Sequence, residues 1–155
     1  MLILLDIDGV MISAASWKPI PILSDGFPQF SVKAVFNLNQ ILNETNASIV
    51  LTTSHKSRFS VFEWESIFKK RGINTSIQKL EDNVRDLDRK GEILNWIESK
   101  WNHENFIIID DDTNLNGLPS DIKERLILTR PIVGLNEEDA NNAISNLKNP
   151  PLVIA

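Results

Sequence analysis

The chain opens with a four-residue apolar run, Leu2 to Leu5, that ends in Asp6-Ile7-Asp8-Gly9. A short apolar run bounded by turn chemistry reads as a strand buried on both faces. Fully buried strands belong to parallel sheets covered by helices, and such sheets place their ligand sites at the carboxyl ends of the strands. In an extended chain, residues two apart point the same way, so Asp6 and Asp8 can face one point. Two carboxylates that close need a cation or a shared proton. Gly9 permits backbone geometry closed to other residues. Taken alone, Asp-x-Asp-Gly is also an ordinary polar turn.

The remaining pattern repeats this grammar. We read the first strand over residues 2–7. Residues 10–30 are punctuated by Pro19, Pro21, Gly26 and Pro28 and read as a flap, with a short hairpin as its candidate form. Ser31 is the expected N-cap of a helix to about residue 45, with Val32, Val35, Phe36 and Leu42 as its apolar stripe. Ala47 to Leu51 forms a second strand ending in Thr52-Thr53-Ser54. Ser60 and Glu63 fit a capping box, and that helix stops near Gly72. A short strand is expected over 73–78 and a charged loop over 79–88. Lys90 to Trp101 reads as a helix. An apolar run, Asn105 to Ile109, then ends in Asp110-Asp111-Asp112. Leu126 to Thr129 is a further strand, and Asn136 caps a last helix whose apolar face is Ala140, Ala143, Ile144 and Leu147. Strands alternating with helices predict an α/β fold: a three-layer α/β/α sandwich around a Rossmann-like parallel sheet of about five strands.

Three strands thus end in polar clusters: Asp6/Asp8, Thr52/Thr53/Ser54 and Asp110/Asp111/Asp112. A parallel sheet brings these ends to one edge. Crowded carboxylates without Cys or His suit a hard cation, most naturally Mg²⁺. His55, Lys56 and Arg58 follow the second cluster, where they either contact a substrate or form a solvated loop. Trp17, Phe27 and Phe30 either stack on a base or pin the flap to the body. Trp64, Trp96 and Trp101 are expected in or beside the core. His103 is expected at the surface, and Gly134 in a backbone role.

At 155 residues, with 42% hydrophobic and 24% charged residues, the expectation is one domain over 1–155, with a flap at 10–30 and a tail at 150–155. The chain has no Cys, which excludes disulfides and thiol chemistry and fits a cytoplasmic location. No signal-peptide pattern and no membrane-length apolar run is present. A net charge of −5 opposes broad binding to long duplexes, which depends on a basic surface.

The order of these motifs resembles the haloacid dehalogenase-like (HAD) superfamily: DIDGV, a strand ending in Thr, a basic residue opening a helix, then a strand ending in Asp-Asp. The segments SWKPIPILSDGFPQFSVKAVFNLNQI, LTTSHKSR, RKGEILNWI, FIIIDDDTNL and GLNEEDANNAI are similar to the compact HAD domain of Swiss Army Knife RNA repair proteins. The resemblance implies a Mg²⁺-dependent phosphomonoesterase with no separate cap domain, working through an aspartyl-phosphate. Asp6 would be the nucleophile, ionised at neutral pH. Asp8 would be the general acid and then base, its carbonyl also reaching the metal. Thr52 would hold a phosphoryl oxygen, with Thr53 as rival. Lys90 would be the third-motif cation, with Arg89 as rival, because the compact group carries Arg just before the Gly. Asp110 would be the direct metal ligand, assisted by Asp111, with Asp112 outside them. Thr53, Lys56 and Arg58 are the candidate substrate contacts. The expected partner is a phosphorylated substrate, a nucleotide or a nucleic-acid end. The alternatives are a non-catalytic binding or regulatory module of the same fold and a phosphotransferase.

Overall fold

In a computed structural model, which describes residues 1–15 and 19–150, five parallel strands form one sheet in the order β3-β2-β1-β4-β5. They are β1 (Leu2–Leu5), β2 (Ser48–Leu51), β3 (Ile77–Lys79), β4 (Phe106–Asp110) and β5 (Leu126–Leu128). The helices are α1 (Val32–Thr45), α2 (Val61–Lys70), α3 (Arg89–Ser99), α4 (Ser120–Lys123) and α5 (Glu137–Lys148). Lys56–Arg58 and Thr113–Gly117 are 3₁₀ turns. The chain builds outward from β1 to β3 on one side, then returns to build β4 and β5 on the other. The strand order therefore switches between β1 and β4, which is where open α/β sheets form their crevice.

The strand pleat sorts the core into two layers. Ile3, Leu5, Ile49, Leu51, Ile107 and Ile109 face α1, α2 and α5. Leu2, Leu4, Val50, Phe106 and Ile108 face α3 and α4. Both faces are covered, as the near-continuous apolar strands require. No helix among the described residues is long and apolar enough to cross a membrane.

The helix ends follow local rules. Ser31 caps α1 by accepting from the Ala34 amide. Reciprocal capping boxes open α2 (Ser60 and Glu63) and α5 (Asn136 and Asp139). Gly72, at φ +84°, ends α2. Asp88 caps α3, so the charged stretch before it has a structural use. Gly134 is at φ +75°, and a Cβ there would stand 2.8 Å from the Val10 carbonyl oxygen. Trp64 is fully buried, Trp96 and Trp101 pack against the α3-side core, and His103 is exposed.

Some expectations need correction. The expected stripe of α1 is rotated: Val32 and Phe36 are 80% and 70% exposed, while Ala34, Asn37, Leu38, Ile41 and Leu42 are buried. The polar Asn37 lies on the buried face because its amide donates to the Leu135 carbonyl at 3.0 Å. β1 ends at Leu5, β3 lies at 77–79 instead of 73–78, and among the described residues the flap hairpin reduces to one bridge between Ile22 and Pro28. Phe27 and Phe30 are buried and hold the flap to α2 through edge contacts with Trp64 and Phe68. Trp17 and residues 151–155 lie outside the described residues.

Candidate active site at the carboxyl edge of the sheet

Register decides which strand-end residues meet. Leu5 pairs with Leu51 on one side and Ile109 on the other. The Asp6 amide then donates to the Ile109 carbonyl at 3.0 Å, and the Thr52 amide to the Leu5 carbonyl at 3.0 Å. Asp6, Thr52 and Asp110 are therefore level, and they share the pleat face of Leu4, Val50 and Ile108, toward α3. All three are buried. Oxygens of Asp6, Asp110 and Asp111 lie within 4.8 Å of one another.

Gly9 lets the third carboxylate approach. It is at φ +78°, and a Cβ there would fall 2.1 Å from Asp111 Oδ2. The Thr129 hydroxyl donates to the Gly9 carbonyl at 2.9 Å and ties this turn to the end of β5. Asp112 is turned away from the cluster. Its carboxylate accepts from the Asn114 amide and caps the Thr113–Gly117 turn, while its own amide donates to Asp110 Oδ1 at 3.0 Å.

Among the described residues, the cation facing this cluster is Arg89. Its Nη1 is 2.5 Å from Asp110 Oδ2 and 3.4 Å from Asp6 Oδ1. Position 89 is the first residue of α3, directly above the sheet face that Asp6 and Asp110 share. Lys90, expected to fill this place, instead lays its ammonium beside Gly117. Successive helical residues are about 100° apart around the axis, a consequence of 3.6 residues per turn, so only one of the pair can face the carboxylates.

One guanidinium does not balance three crowded carboxylates. Burial and then the neighbouring Asp110 raise the pKa of Asp6 to about 8, against the pull of Arg89. Burial and Asp110 also raise that of Asp111. Desolvation thus outweighs a single cation at Asp6 and opposes the ionised form expected of it. Thr52 adds a second imbalance: its hydroxyl is buried without a hydrogen-bond partner, a state that buried polar groups normally avoid. Its rival Thr53 is engaged, accepting from the His55 amide at 3.2 Å.

Asp8 stands apart from the three-carboxylate group. Its side chain is 61% exposed and meets His55, with Nε2 to Oδ2 at 2.8 Å. Lys56, a candidate substrate contact, is only 3% exposed and pairs with Glu92 on α3 at 2.8 Å. Its carbonyl also accepts from Trp64 Nε1 and Lys79 Nζ. That correction has a plain cause: the 3₁₀ turn at 56–58 aims Lys56 inward and leaves Arg58 exposed against Phe27 and Phe59. Sequence reasoning did not find the Asp8–His55 and Lys56–Glu92 pairs, since each joins residues more than thirty positions apart.

The donor set fits a hard divalent cation. It is all oxygen, converges from two adjacent strands, and carries excess negative charge that a cation would offset. Comparison with known proteins agrees with this architecture. The model of the family described as the HAD domain in Swiss Army Knife RNA repair proteins matches residues 2–140. No curated protein and no solved structure matches the chain. Such a family suggests, in general terms, a phosphatase-type hydrolase. On a match over nearly its whole length, and with the sheet, the motif order and the acidic edge in agreement, the chain belongs to the HAD domain family of Swiss Army Knife RNA repair proteins.

Proposed function

We propose that the protein is a Mg²⁺-dependent phosphomonoesterase that works through an aspartyl-phosphate on Asp6. The observation that carries this reading is the level set of Asp6, Thr52 and Asp110, with three carboxylates around one arginine beside a partnerless hydroxyl. A structural cluster would satisfy its own charges and hydroxyls; this one is arranged for groups that arrive.

Asp6, Asp110 and Asp111 are the side chains that would hold Mg²⁺, whose chemistry there is to keep the carboxylates ionised and to offset charge on the phosphoryl oxygens. An Asp6 oxygen attacks phosphorus. Thr52 donates its free hydroxyl to a phosphoryl oxygen. Arg89, whose guanidinium spans Asp6 and Asp110, supplies fixed positive charge where negative charge gathers. Arg89 therefore takes the role expected of Lys90. Asp8 gives a proton to the leaving oxygen, then takes one from the water that releases phosphate. Phosphoryl transfer depends mainly on such positioning and electrostatics.

The proposed substrate is a nucleotide or the phosphorylated end of a nucleic acid. The exposure of Asp8 supports an end-on substrate, since the leaving-group side of the site is open. The overall charge of −5 argues for short substrates over long duplexes.

The test is release of inorganic phosphate from mononucleotides, 3′- and 5′-phosphorylated oligonucleotides and an aryl phosphate, with Mg²⁺ or with chelator. Activity that needs both the metal and Asp6 is the expected result. Folded protein that binds Mg²⁺ but releases phosphate from none of them would overturn the reading in favour of a binding module.

A further inference from the structure

We propose that His55 is a positioning residue that holds Asp8 in the orientation for proton transfer, an inference that rests on the phosphatase reading above. Asp8 sits at the open rim with a 61% exposed side chain, and among the described residues its one side-chain hydrogen bond is to His55, at 2.8 Å. A carboxylate so exposed would otherwise sample several rotamers. With the tautomer that carries its hydrogen on Nε2, the imidazole donates to Oδ2, which leaves Oδ1 as the oxygen that carries the proton.

His55 is itself fixed. Its amide donates to the Thr53 hydroxyl at 3.2 Å. Its ring stands edge-on to Phe27, with centroids 5.6 Å apart and planes at 82°. Phe27 is 1% exposed. Its amide donates to Asp25 Oδ1 at 3.0 Å, and its carbonyl accepts from Arg71 Nη2 at 2.8 Å. The flap segment thus acts as a platform, transmitting its order through Phe27 to His55 and then to Asp8. This gives the second strand-end cluster a use beyond Thr52: the turn that follows it supplies the partner of an acid on β1's loop, 47 residues away.

The chemistry defines what His55 should affect. In the first half-reaction an Asp6 oxygen bonds to phosphorus, the bond from phosphorus to the leaving oxygen breaks, and the proton on Asp8 Oδ1 passes to that oxygen. Asp8 is then a carboxylate that accepts from His55. In the second, water bonds to phosphorus, its proton passes to Asp8 Oδ1, and the bond to Asp6 breaks. A leaving group that is stable as an anion needs little protonation, whereas an alkoxide needs it fully. Misplacing Asp8 must therefore slow alkyl esters more than activated aryl esters.

The experiment measures kcat/KM, which reports the steps through the first phosphoryl transfer, for a series of phosphate monoesters from activated aryl to alkyl, in Mg²⁺. Wild type, His55→Ala, His55→Gln and Asp6→Asn are compared. His55→Ala is expected to lose about tenfold or more on alkyl esters and about twofold or less on the most activated aryl ester, as loss of an oriented general acid requires. His55→Gln, whose amide reaches to the place of Nε2, should recover most of the alkyl-ester rate. A loss of equal size across the series, or no recovery with Gln, would show a merely structural role and overturn the assignment. An inactive wild type overturns the phosphatase reading and this one together, whereas an active, Asp6-dependent wild type with a flat His55→Ala response overturns only this one.

Discussion

Two arginines, Arg71 buried and Arg89 half-buried, show how differently the same side chain can be used. Arg71, at the end of α2, donates from Nε, Nη1 and Nη2 to the carbonyls of Ile67, Phe27 and Pro28 and to both oxygens of Asp25. It faces one carboxylate, and its hydrogen bond holds the Asp25 pKa below the ordinary value. Arg89 faces Asp6 and Asp110 with Asp111 beside them, and its Nε has no partner. Despite that arginine, the Asp6 pKa rises. The first is a finished clamp for the flap. The second is an unfinished balance of charge, and the imbalance marks where a cation and a phosphate would be stabilised.

The contrast is broken most sharply at Asp6. Asp6→Asn should lower phosphate release about a thousandfold or more, as removal of a covalent nucleophile does. It should leave the metal-free fold as stable as before or more so, because it removes a carboxyl whose ionisation burial and Asp110 oppose. A variant that unfolds, checked by thermal melting, would mean that the cluster is a structural one.

Arg89→Ala should cost about a hundredfold in kcat, on the scale of losing one donor to developing charge. Lys90→Ala should change kcat by about twofold or less. Reversal of that order in parallel kinetic measurements would return the third-motif role to Lys90.

Arg71→Met should leave the chemistry of the site in place but cost about 3 kcal/mol of stability, since it strands a half-buried carboxylate and several carbonyls. Urea unfolding reads this directly. A loss comparable with that of an exposed charge would mean that the clamp contributes little.

In their response to pH the two regions have opposite signs. Asp6 has a folded pKa of about 8 against 3.8, so between these values the native state holds the proton more tightly. Metal-free stability from this group therefore falls as pH rises from about 4 to 8, and Mg²⁺ should flatten that decline. Asp25 is lowered instead, so its contribution is present above 3.8 and is lost as pH falls through its folded value. Urea midpoints across pH, with and without Mg²⁺, check both signs. A decline unchanged by Mg²⁺ would argue against metal at Asp6.

Much of this was legible in the amino-acid order because it depends on neighbours along the chain. The strand runs, the Ser31 cap, both capping boxes and the acidic ends of β1 and β4 are local patterns, and local patterns fix where elements start and stop. Thr52 over Thr53 was open in the sequence, where a strand end carries an error of a residue. The register against Leu5 places Thr52 level with Asp6. The apolar face of α1 does not follow from its own residues, because Asn37 is buried by a partner, Leu135, that lies 98 residues away.

The sequence by itself determined the sheet, its helical cover and the carboxylates at its edge, because alternating apolar and polar segments leave few ways to bury a core. Only the tertiary structure decided that Arg89 and not Lys90 faces Asp6, that Lys56 turns inward to Glu92, and that His55 reaches Asp8. Those choices depend on the rotation of a helix about its axis and on contacts across the sheet edge. Both are set by packing, which a linear sequence does not display.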